Sequence, residues 1–339
     1  MQAELKLRIG KWLNVLVWVY FTVIFAWAAA HFILGDYPWW LFAFNALSFY
    51  FFVPLPFVVL MTLFIRRRAT SVGVLLVFLL GLYLYGWPYL PWRTVSTPAG
   101  QPLIVMTYNV LGHNEHPEAV VEAIRASGAD VVGLQELSPP IASAIRNGLA
   151  STYPYQELDA QKGVTGSGVI SRYPLHLSDE KMPGSWVGTP QILSLTFGGQ
   201  SVTILNLHPF ATNLGTPEVL ELSISERERQ ARAIRDFALA HPEPVLVTTD
   251  LNATAQNTAY KIVTSTLTDS WMEAGWGPGL SFPGGISRKL IGTDVPTWAI
   301  RIDYVFHSQH FRAIEAHIGP WDGWSDHRPV VVKLVLLRE

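Results

Sequence analysis

The chain has 339 residues, a formal net charge of −2 and no cysteine, and 50% of its residues are hydrophobic. That length suggests about two domains, and the lack of cysteine excludes a disulfide framework and a cysteine-ligated zinc site. From residue 94 onward, 17 Lys and Arg stand against 24 Asp and Glu, a formal charge of −7. Proteins that grip nucleic acid usually need a basic surface, so the C-terminal part is poorly suited to that class.

Three long stretches near the N-terminus contain no Asp, Glu, Lys or Arg, namely 12–35, 37–65 and 69–92. Each exceeds the ~20 apolar residues that cross a hydrocarbon core, so they predict three transmembrane helices. A cleavable signal peptide is the alternative for the first stretch, but its apolar run exceeds the ~7–15 residues expected there. Pro54 and Pro56 should kink the second helix or split it into a span and a re-entrant piece. Asn45 is either a helix-to-helix contact or a tolerated amide.

Basic residues flank the first two stretches: Lys6, Arg8 and Lys11 precede the first, and Arg66, Arg67 and Arg68 follow the second. Because such residues mark cytoplasmic loops, we expect a multi-pass membrane protein with a cytoplasmic N-terminus and an extracytoplasmic C-terminal part. The predicted organisation is a membrane domain over 1–92, an extended Pro-rich tether over 93–102 and a C-terminal domain over 103–339.

The C-terminal domain alternates strand-like and helix-like segments. Residues 103–109 and 130–136 have the apolar character of buried strands, and 117–127 between them has the spacing of an amphipathic helix. Further strands are predicted at 168–171, 192–196, 202–207, 245–249, 302–306 and 330–337, with a long helix at 217–239. The alternation predicts an α/β domain, and the irregular, Gly- and Pro-rich stretch 272–298 is typical of a functional loop.

Polar residues follow the ends of these predicted strands: Asn109, Glu136, His208, Asp250, Asn252, Asp303, Asp326 and His327. Singly, each is explained by capping a helix or bonding a turn. Gathered at one edge of a sheet, carboxylates, carboxamides and imidazoles are the groups that metal-assisted attack on a phosphate requires.

These residues fall in an ordered set of short motifs: YN at 108–109, QE at 135–136, NLH at 206–208, DLN at 250–252, RIDYVF at 301–306 and SDH at 325–327. GVISRYPL at 168–175 lies between them. The set resembles the signature of the endonuclease/exonuclease/phosphatase superfamily over roughly 103–337. The resemblance implies a four-layer αββα sandwich, in which two packed mixed sheets are flanked by helices. It also implies a hydrolase, and thus a catalytic C-terminal domain. Thr249 departs from the pattern, because the family often has glycine there.

The resemblance also assigns a metal site. Glu136 would bind a divalent cation with help from Asn109 and, as a further ligand, Asp326. Mg²⁺ is the expected cofactor, with Mn²⁺ as the alternative, because a hard oxygen-rich site suits these ions.

The catalytic roles follow in the same way. Asp250 would orient or deprotonate the attacking water, and Asn252 would position that water or a phosphoryl oxygen. His208 would donate to the phosphate. Asp303 would hold His327 in one tautomer and raise its pKa. No acid partner of His208 is identified in the sequence.

Three hypotheses about the function remain. The first is a membrane lipid, cleaved by a lipid phosphatase or pyrophosphatase, or by a phospholipase- or sphingomyelinase-type phosphodiesterase. The layout resembles a membrane-tethered bacterial branch linked to glycopeptide resistance and to dephosphorylation of polyprenyl carriers, which implies a bacterial inner or cell membrane. Aromatic residues that would contact lipid are Trp276, Phe282, Trp298, Trp321 and Trp324.

The second hypothesis is a membrane-anchored nuclease with a local basic groove of Arg288, Lys289, Arg301 and Arg328, although the charge disfavours nucleic acid as a partner. The third is an inactive receptor, which the intact polar set disfavours.

Overall fold

The structure is a computed structural model that describes residues 2–90, 98–212, 215–284, 289–290, 293–294 and 297–337. Residues 93–97 of the predicted tether and Arg288 therefore lie outside the described residues. The chain divides into two compact units, Met1–Leu90 and Pro91–Glu339.

The N-terminal unit is helical, with α1 at Gln2–Leu34, α2 at Trp39–Ala46, α3 at Leu55–Ile65 and α4 at Arg68–Tyr85. Short 3₁₀ turns occupy Ser48–Phe52 and Trp87–Tyr89. Within the described residues, three segments are long and apolar enough to cross a membrane: Leu7–Leu34, Ser48–Ile65 and Arg68–Tyr85. This finding supports a membrane region.

The second apolar stretch is not one continuous helix. The prediction placed it at 37–65, but the helical run that is long enough to cross begins only at Ser48. Pro54 stands at the N-cap of α3 and Pro56 lies in its first turn. Backbone N–H groups there have no partner inside the helix, so proline is tolerated and starts α3 instead of kinking it.

Asn45 is the centre of a buried hydrogen-bonded cluster in this unit. Its Oδ1 accepts from Trp27 Nε1 at 3.1 Å and lies 2.9 Å from His31 Nδ1. Its Nδ2 donates to Gly35 O at 2.7 Å and to Asp36 Oδ1 at 2.9 Å. The carboxamide uses its full bonding capacity to join α1, the following turn and α2, so Asn45 is a helix-to-helix contact.

Replacing Asn45 by Leu is expected to destabilise the N-terminal unit by about 1–3 kcal/mol, because buried donors and acceptors lose their partner. Thermal unfolding of the detergent-purified chain measures this effect. Asn14 provides the matched control in α1, since its Oδ1 is buried and has no hydrogen-bond partner among the described residues. Asn14→Leu should be neutral or stabilising, and equal losses in both variants would contradict the role given to Asn45.

The C-terminal unit contains the remaining elements. Its helices are α5 Pro117–Ser127, α6 Pro139–Leu149, α7 Pro217–Ala240, α8 Thr258–Thr264 and α9 Ser270–Ala274. Its strands are β1 Pro102–Asn109, β2 Val131–Gln135, β3 Tyr155–Asp159, β4 Ser167–Ser171, β5 Leu175–Leu177, β6 Gln191–Phe197, β7 Gln200–Leu207, β8 Val245–Asp250, β9 Thr268–Asp269, β10 Lys289–Leu290, β11 Thr293–Asp294, β12 Asp303–His307, β13 Phe311–Ile318 and β14 Val330–Leu336.

Two six-stranded mixed sheets form the centre of the described C-terminal unit. One has the order β13-β14-β1-β2-β4-β3 and the other β5-β6-β7-β8-β12-β9. The pairs β1/β2 and β7/β8 are parallel, and the other pairs are antiparallel. One apolar core lies between the sheets, and two others lie under α5 and α6 and under α7 and α8. The predicted αββα sandwich is confirmed.

Strand alternation decides which polar residues meet between the sheets. In β1, Leu103 and Val105 belong to the central core, whereas Met106 and Tyr108 pack in the core under α5 and α6. Because side chains alternate with a period of two, Asn109 lies on the inner face with Leu103 and Val105. The same alternation carries the inner face of β8 from Leu246 to its last residue, Asp250.

Candidate functional site

The ends of six strands converge at one edge of the sandwich. Parallel β1 and β2 end together, as do parallel β7 and β8, which brings the residues at and just after these ends to the same edge. The first residue of antiparallel β12, Asp303, pairs with Asp250, the last residue of β8. The start of β14 pairs with the end of β1, Val330 beside Thr107, so the preceding loop with Asp326 and His327 also lies here.

His327 and Asp303 form a buried acid–imidazole pair. Nδ1 of His327 lies 2.9 Å and 3.1 Å from the two carboxylate oxygens of Asp303, and its Nε2 lies 3.6 Å from Asp250 Oδ2. Burial opposes the charged imidazole, but the carboxylates of Asp303 and Asp250 outweigh it and raise the pKa of His327 to about 10. His327 is therefore an imidazolium at neutral pH, with its Nε2–H on the side of Asp250.

Asp250 is the central carboxylate. Its Oδ2 lies 3.6 Å from Nε2 of both His208 and His327 and accepts a 3.1 Å hydrogen bond from Asn109 Nδ2. Burial raises the pKa of Asp250 to about 6, with help from the charge of Asp303, while the two histidines and the Asn109 amide act in the opposite direction. A buried carboxylate with this pKa suits a base that works near neutral pH.

Asn252 follows in a left-handed conformation, with φ of 54°. Its backbone N–H donates to Asp250 Oδ1 at 3.0 Å, and its Nδ2 donates to Pro209 O at 3.2 Å. It thus links the end of β8 to the residue after His208. The Nδ1 atom of His208 is buried, and the described residues offer it no hydrogen-bond partner.

Glu136 and Asn109 form the candidate metal centre. Asn109 Nδ2 donates to Glu136 Oε1 at 3.0 Å, and Gly112 N donates to Glu136 Oε2 at 3.1 Å. The amide of Asn109 lies between the carboxylates of Glu136 and Asp250. The Oδ1 atom of Asn109 accepts from Leu111 N at 3.0 Å, so the charged oxygen donors here are those of Glu136, which are of the kind that Mg²⁺ and Mn²⁺ prefer. The residues therefore fit a divalent cation.

Asp326, the further metal ligand expected from the sequence, lies on the loop before β14 and directly precedes His327. Its side chain is half-buried. Burial opposes the charged form of His327, whereas the carboxylates of Asp303 and Asp250, and to a smaller extent that of Asp326, raise its pKa. A different trio, Asp250, Asp303 and His327, has candidate donor atoms within 4.8 Å of one another in the described part of the chain. Because Nδ1 of His327 is already engaged by Asp303, this trio is better suited to handling protons than to holding a metal.

Several residues that position the site were not singled out from the sequence. Ser325 Oγ donates to Asn109 O at 2.8 Å and accepts from His327 N at 3.0 Å. Asp322 Oδ1 accepts from Ser325 N at 2.9 Å, and its Oδ2 accepts from Asn114 Nδ2 at 2.7 Å. These bonds fix the His327 loop to the end of β1. Ser325 belongs to the SDH motif, whereas Asn114 and Asp322 carry no local signal.

Asn206 joins the two sheets below the site. Its Oδ1 accepts from Gln135 Nε2 at 2.7 Å, and its Nδ2 donates to Leu134 O at 3.0 Å. The sheets approach closely here, because a Cβ added to Gly133 would lie 2.1 Å from Thr248 Oγ1. Gln135 precedes Glu136 and Asn206 stands two residues before His208, so one buried network sets the relative position of both.

The basic groove of the nuclease hypothesis is wrong for Arg301. This side chain is only 7% exposed and pairs with Asp269 Oδ2 at 2.8 Å. Its guanidinium lies 4.6 Å from the ring centre of Tyr304. A guanidinium that is buried against a carboxylate cannot contact a phosphate backbone at the surface.

The aromatic residues divide into two groups. Trp276 and Trp324 are exposed at 73% and 48%. Phe282, Trp298 and Trp321 instead pack near the SDH motif, where Phe282 lies 4.7 Å from the ring of His327 and Trp321 Nε1 donates to Ser325 O at 2.9 Å. Trp276 and Trp324 are therefore the members of this set that are most exposed and best suited to contact an interface.

Comparisons with known proteins agree with this architecture. The model of the Endonuclease/Exonuclease/phosphatase family matches residues 106–327, and no curated protein sequence matches the chain. A family protein from Bacteroides thetaiotaomicron is 16% identical with a TM-score of 0.51, covering 70% of this chain and 99% of that one. Sphingomyelinase C from Streptomyces griseocarneus is 22% identical with a TM-score of 0.51, and the match covers 70% of this chain and 99% of that one. Truncated TDP2 from Caenorhabditis elegans is 19% identical with a TM-score of 0.52, and the match covers 69% of this chain and 98% of that one. At these identities the likeness concerns the fold.

Proposed function

Because the chain belongs to the endonuclease/exonuclease/phosphatase family, we propose that it is a divalent-metal-dependent hydrolase that acts on a membrane lipid phosphate or pyrophosphate. The observation that carries the proposal is the buried Asp250, flanked by two imidazoles at 3.6 Å and bonded to the Asn109 that also contacts Glu136. This constellation occurs in a chain that also has three apolar helical segments among its described residues.

Water attacks the phosphorus in line, without a covalent enzyme intermediate. Asp250 takes the proton of that water, since its carboxylate is buried and its pKa of about 6 leaves it ionised at neutral pH. Asn252, held to Asp250 by its backbone N–H, positions the water or a phosphoryl oxygen.

The imidazoles stabilise the developing charge. His327, kept as an imidazolium by Asp303, and His208 donate hydrogen bonds to phosphoryl oxygens as negative charge accumulates. Glu136 and Asn109, with Asp326 as a further ligand, would hold Mg²⁺ or Mn²⁺. When bound, the cation would neutralise charge and polarise the phosphoryl oxygen.

Anchoring favours a lipid as the substrate. In the proposed organisation, a membrane domain over 1–92 and a tether over 93–102 precede the catalytic domain, 103–339. The ~13 residues from 90 to 102 span at most roughly 45 Å when fully extended, so the catalytic site works close to the bilayer. The basic flanks of the first two apolar stretches support a location of this domain on the outer face of a bacterial membrane.

The layout resembles the bacterial branch that dephosphorylates polyprenyl carriers, which makes a polyprenyl pyrophosphate the leading substrate. Likeness in fold to a protein named sphingomyelinase C supports a lipid phosphodiesterase as the second candidate. Nuclease activity ranks lower, because the domain is acidic and Arg301 is buried. An inactive receptor ranks last.

The experiment is phosphate release by the detergent-purified chain with Mg²⁺ or Mn²⁺. A polyprenyl pyrophosphate is compared with sphingomyelin and a plasmid, and Glu136→Gln and EDTA serve as blanks. Metal-dependent release from the polyprenyl lipid is the expected result. Cleavage of sphingomyelin alone would identify the phosphodiesterase, and plasmid nicking with intact lipids would replace the proposal by a nuclease.

A further inference from the structure

Arg328 is a half-buried cation without a matching anion. It directly follows His327, and one of its terminal nitrogens donates to Leu280 O. Its Nε atom is buried and has no hydrogen-bond partner. No carboxylate of the described residues contributes to its electrostatics. Because a desolvated charge is unfavourable unless it is paired, this guanidinium is poised for an anion that the described residues do not provide.

Trp298 forms the platform that holds this cation. The guanidinium carbon lies 4.3 Å from the centre of the indole ring, a distance that gives a favourable cation–π interaction. Trp298 itself has a φ of 56°, a conformation that is costly for a bulky residue and occurs where the surroundings fix it. The backbone N–H of Trp298 donates to Pro283 O at 2.7 Å, which secures that conformation.

The platform adjoins the loop that carries the catalytic imidazole. A Cβ added to Gly284 would lie 2.7 Å from Trp298 Cη2 and 2.7 Å from Ser325 O. Both the indole and the backbone of the SDH loop therefore pack against one glycine. Together with the packing of Phe282 on His327, these contacts fix the segment from Ser325 to Arg328 as one rigid edge of the site.

We propose that Arg328, held on Trp298, binds a second, non-reacting phosphoryl group of the substrate. Its planar fork matches two phosphoryl oxygens, while His327, His208 and Asp250 act on the reacting phosphorus. The site then selects pyrophosphates over single phosphates. Water adds to the terminal phosphorus and gives its proton to Asp250, and the bridging P–O bond breaks. Inorganic phosphate is released, and the lipid monophosphate is the leaving group whose negative charge Arg328 stabilises. This selectivity rests on the proposed phosphohydrolase function.

Calorimetric binding to the full chain in detergent, at fixed free Mg²⁺, tests the proposal. The probes are methylenediphosphonate, which has two phosphoryl groups and a bridge that is not hydrolysed, and inorganic phosphate. Arg328→Met should weaken diphosphonate binding on the order of 10- to 100-fold, as expected for a charge-assisted hydrogen-bond pair. Phosphate binding should change by less than about threefold. Arg328→Lys should fall between, because it keeps the charge but loses the fork.

Arg146→Met, on the exposed face of α6, is the control and should bind both probes like the wild type. The proposal would be overturned if Arg328→Met and Arg328→Lys lost the same affinity for both probes. It would also be overturned if the wild type bound the diphosphonate no more tightly than phosphate. The measurement does not depend on the natural lipid. A wild type that spares polyprenyl pyrophosphate yet shows the Arg328-dependent preference would refute the proposed substrate and keep the anion site.

Discussion

Replacing Glu136 by Gln or Asp250 by Asn is expected to reduce hydrolysis by about 10²- to 10⁴-fold, the range found when a general base or an equally central group is lost. Glu136→Gln removes the charged oxygen donor beside Asn109, and with it the affinity for the divalent cation. Asp250→Asn removes the carboxylate that lies between two imidazoles. Both substitutions keep the size of the side chain, so the fold should persist.

Turnover of the preferred substrate and thermal unfolding, measured on the same preparations, separate the two effects. Glu122→Gln and Asp236→Asn are the matched controls, because these carboxylates are exposed on α5 and α7 with side-chain accessibilities of 70% and 60%. Both controls should retain activity. Full activity in Glu136→Gln or Asp250→Asn would remove these residues from the mechanism, and loss of the folded state would leave only a structural role.

Activity is expected to depend on pH in a bell-shaped manner that Asp303 controls. His327 has its pKa raised to about 10, so the imidazolium is present below that value and is lost as the pH rises through it. Asp250 has its pKa raised to about 6, so its carboxylate forms as the pH rises through that value. A cation bound at Glu136 would favour the carboxylate and move this acid limb lower. The two apparent values belong to the coupled pair.

Asp303→Asn should move the alkaline limb to lower pH, because the largest influence that favours the imidazolium is removed. Profiles of kcat/KM from about pH 5 to about pH 11 measure the limbs directly. Glu315→Gln is the control, since Glu315 is an exposed carboxylate that also pairs with a histidine, His317. An alkaline limb that stays in place in Asp303→Asn would show that this limb does not report His327.

The membrane and catalytic observations place different demands on the chain. Three apolar segments among the described residues suggest membrane insertion, whereas the polar edge of the sandwich requires water to reach Asp250. The tether proposed over 93–102 would meet both demands by keeping a catalytic domain outside the hydrocarbon and within reach of headgroups. Such an arrangement would explain an anchor on a phosphohydrolase.

The amino-acid sequence determined the classes of structure and the types of group in the site. The length of the stretches without charged residues is enough to predict the apolar helices, because the bilayer sets a minimum length for a helix that crosses it. Alternation of strand and helix patterns, with the ordered motifs from Asn109 to His327, was enough to predict the confirmed αββα sandwich. It also supplied the polar residues from Asn109 to His327 that follow the strand ends, but not Asn114 and Asp322, which help to position the SDH loop.

Only the tertiary structure decided which partners these residues have. Arg301 reads as an available cation in the sequence, yet it is paired with Asp269, 32 positions earlier in the chain. The sequence left Asn45 as either a helix-to-helix contact or a tolerated amide, and the structure shows that it bonds Trp27, Gly35 and Asp36. Periodicity fixes the face of a strand or helix to which a side chain belongs, but not the residues that packing brings against that face. Hydrogen bonds and charge pairs depend on those long-range contacts, and for that reason only the folded chain shows that Arg328 has no carboxylate partner among the described residues.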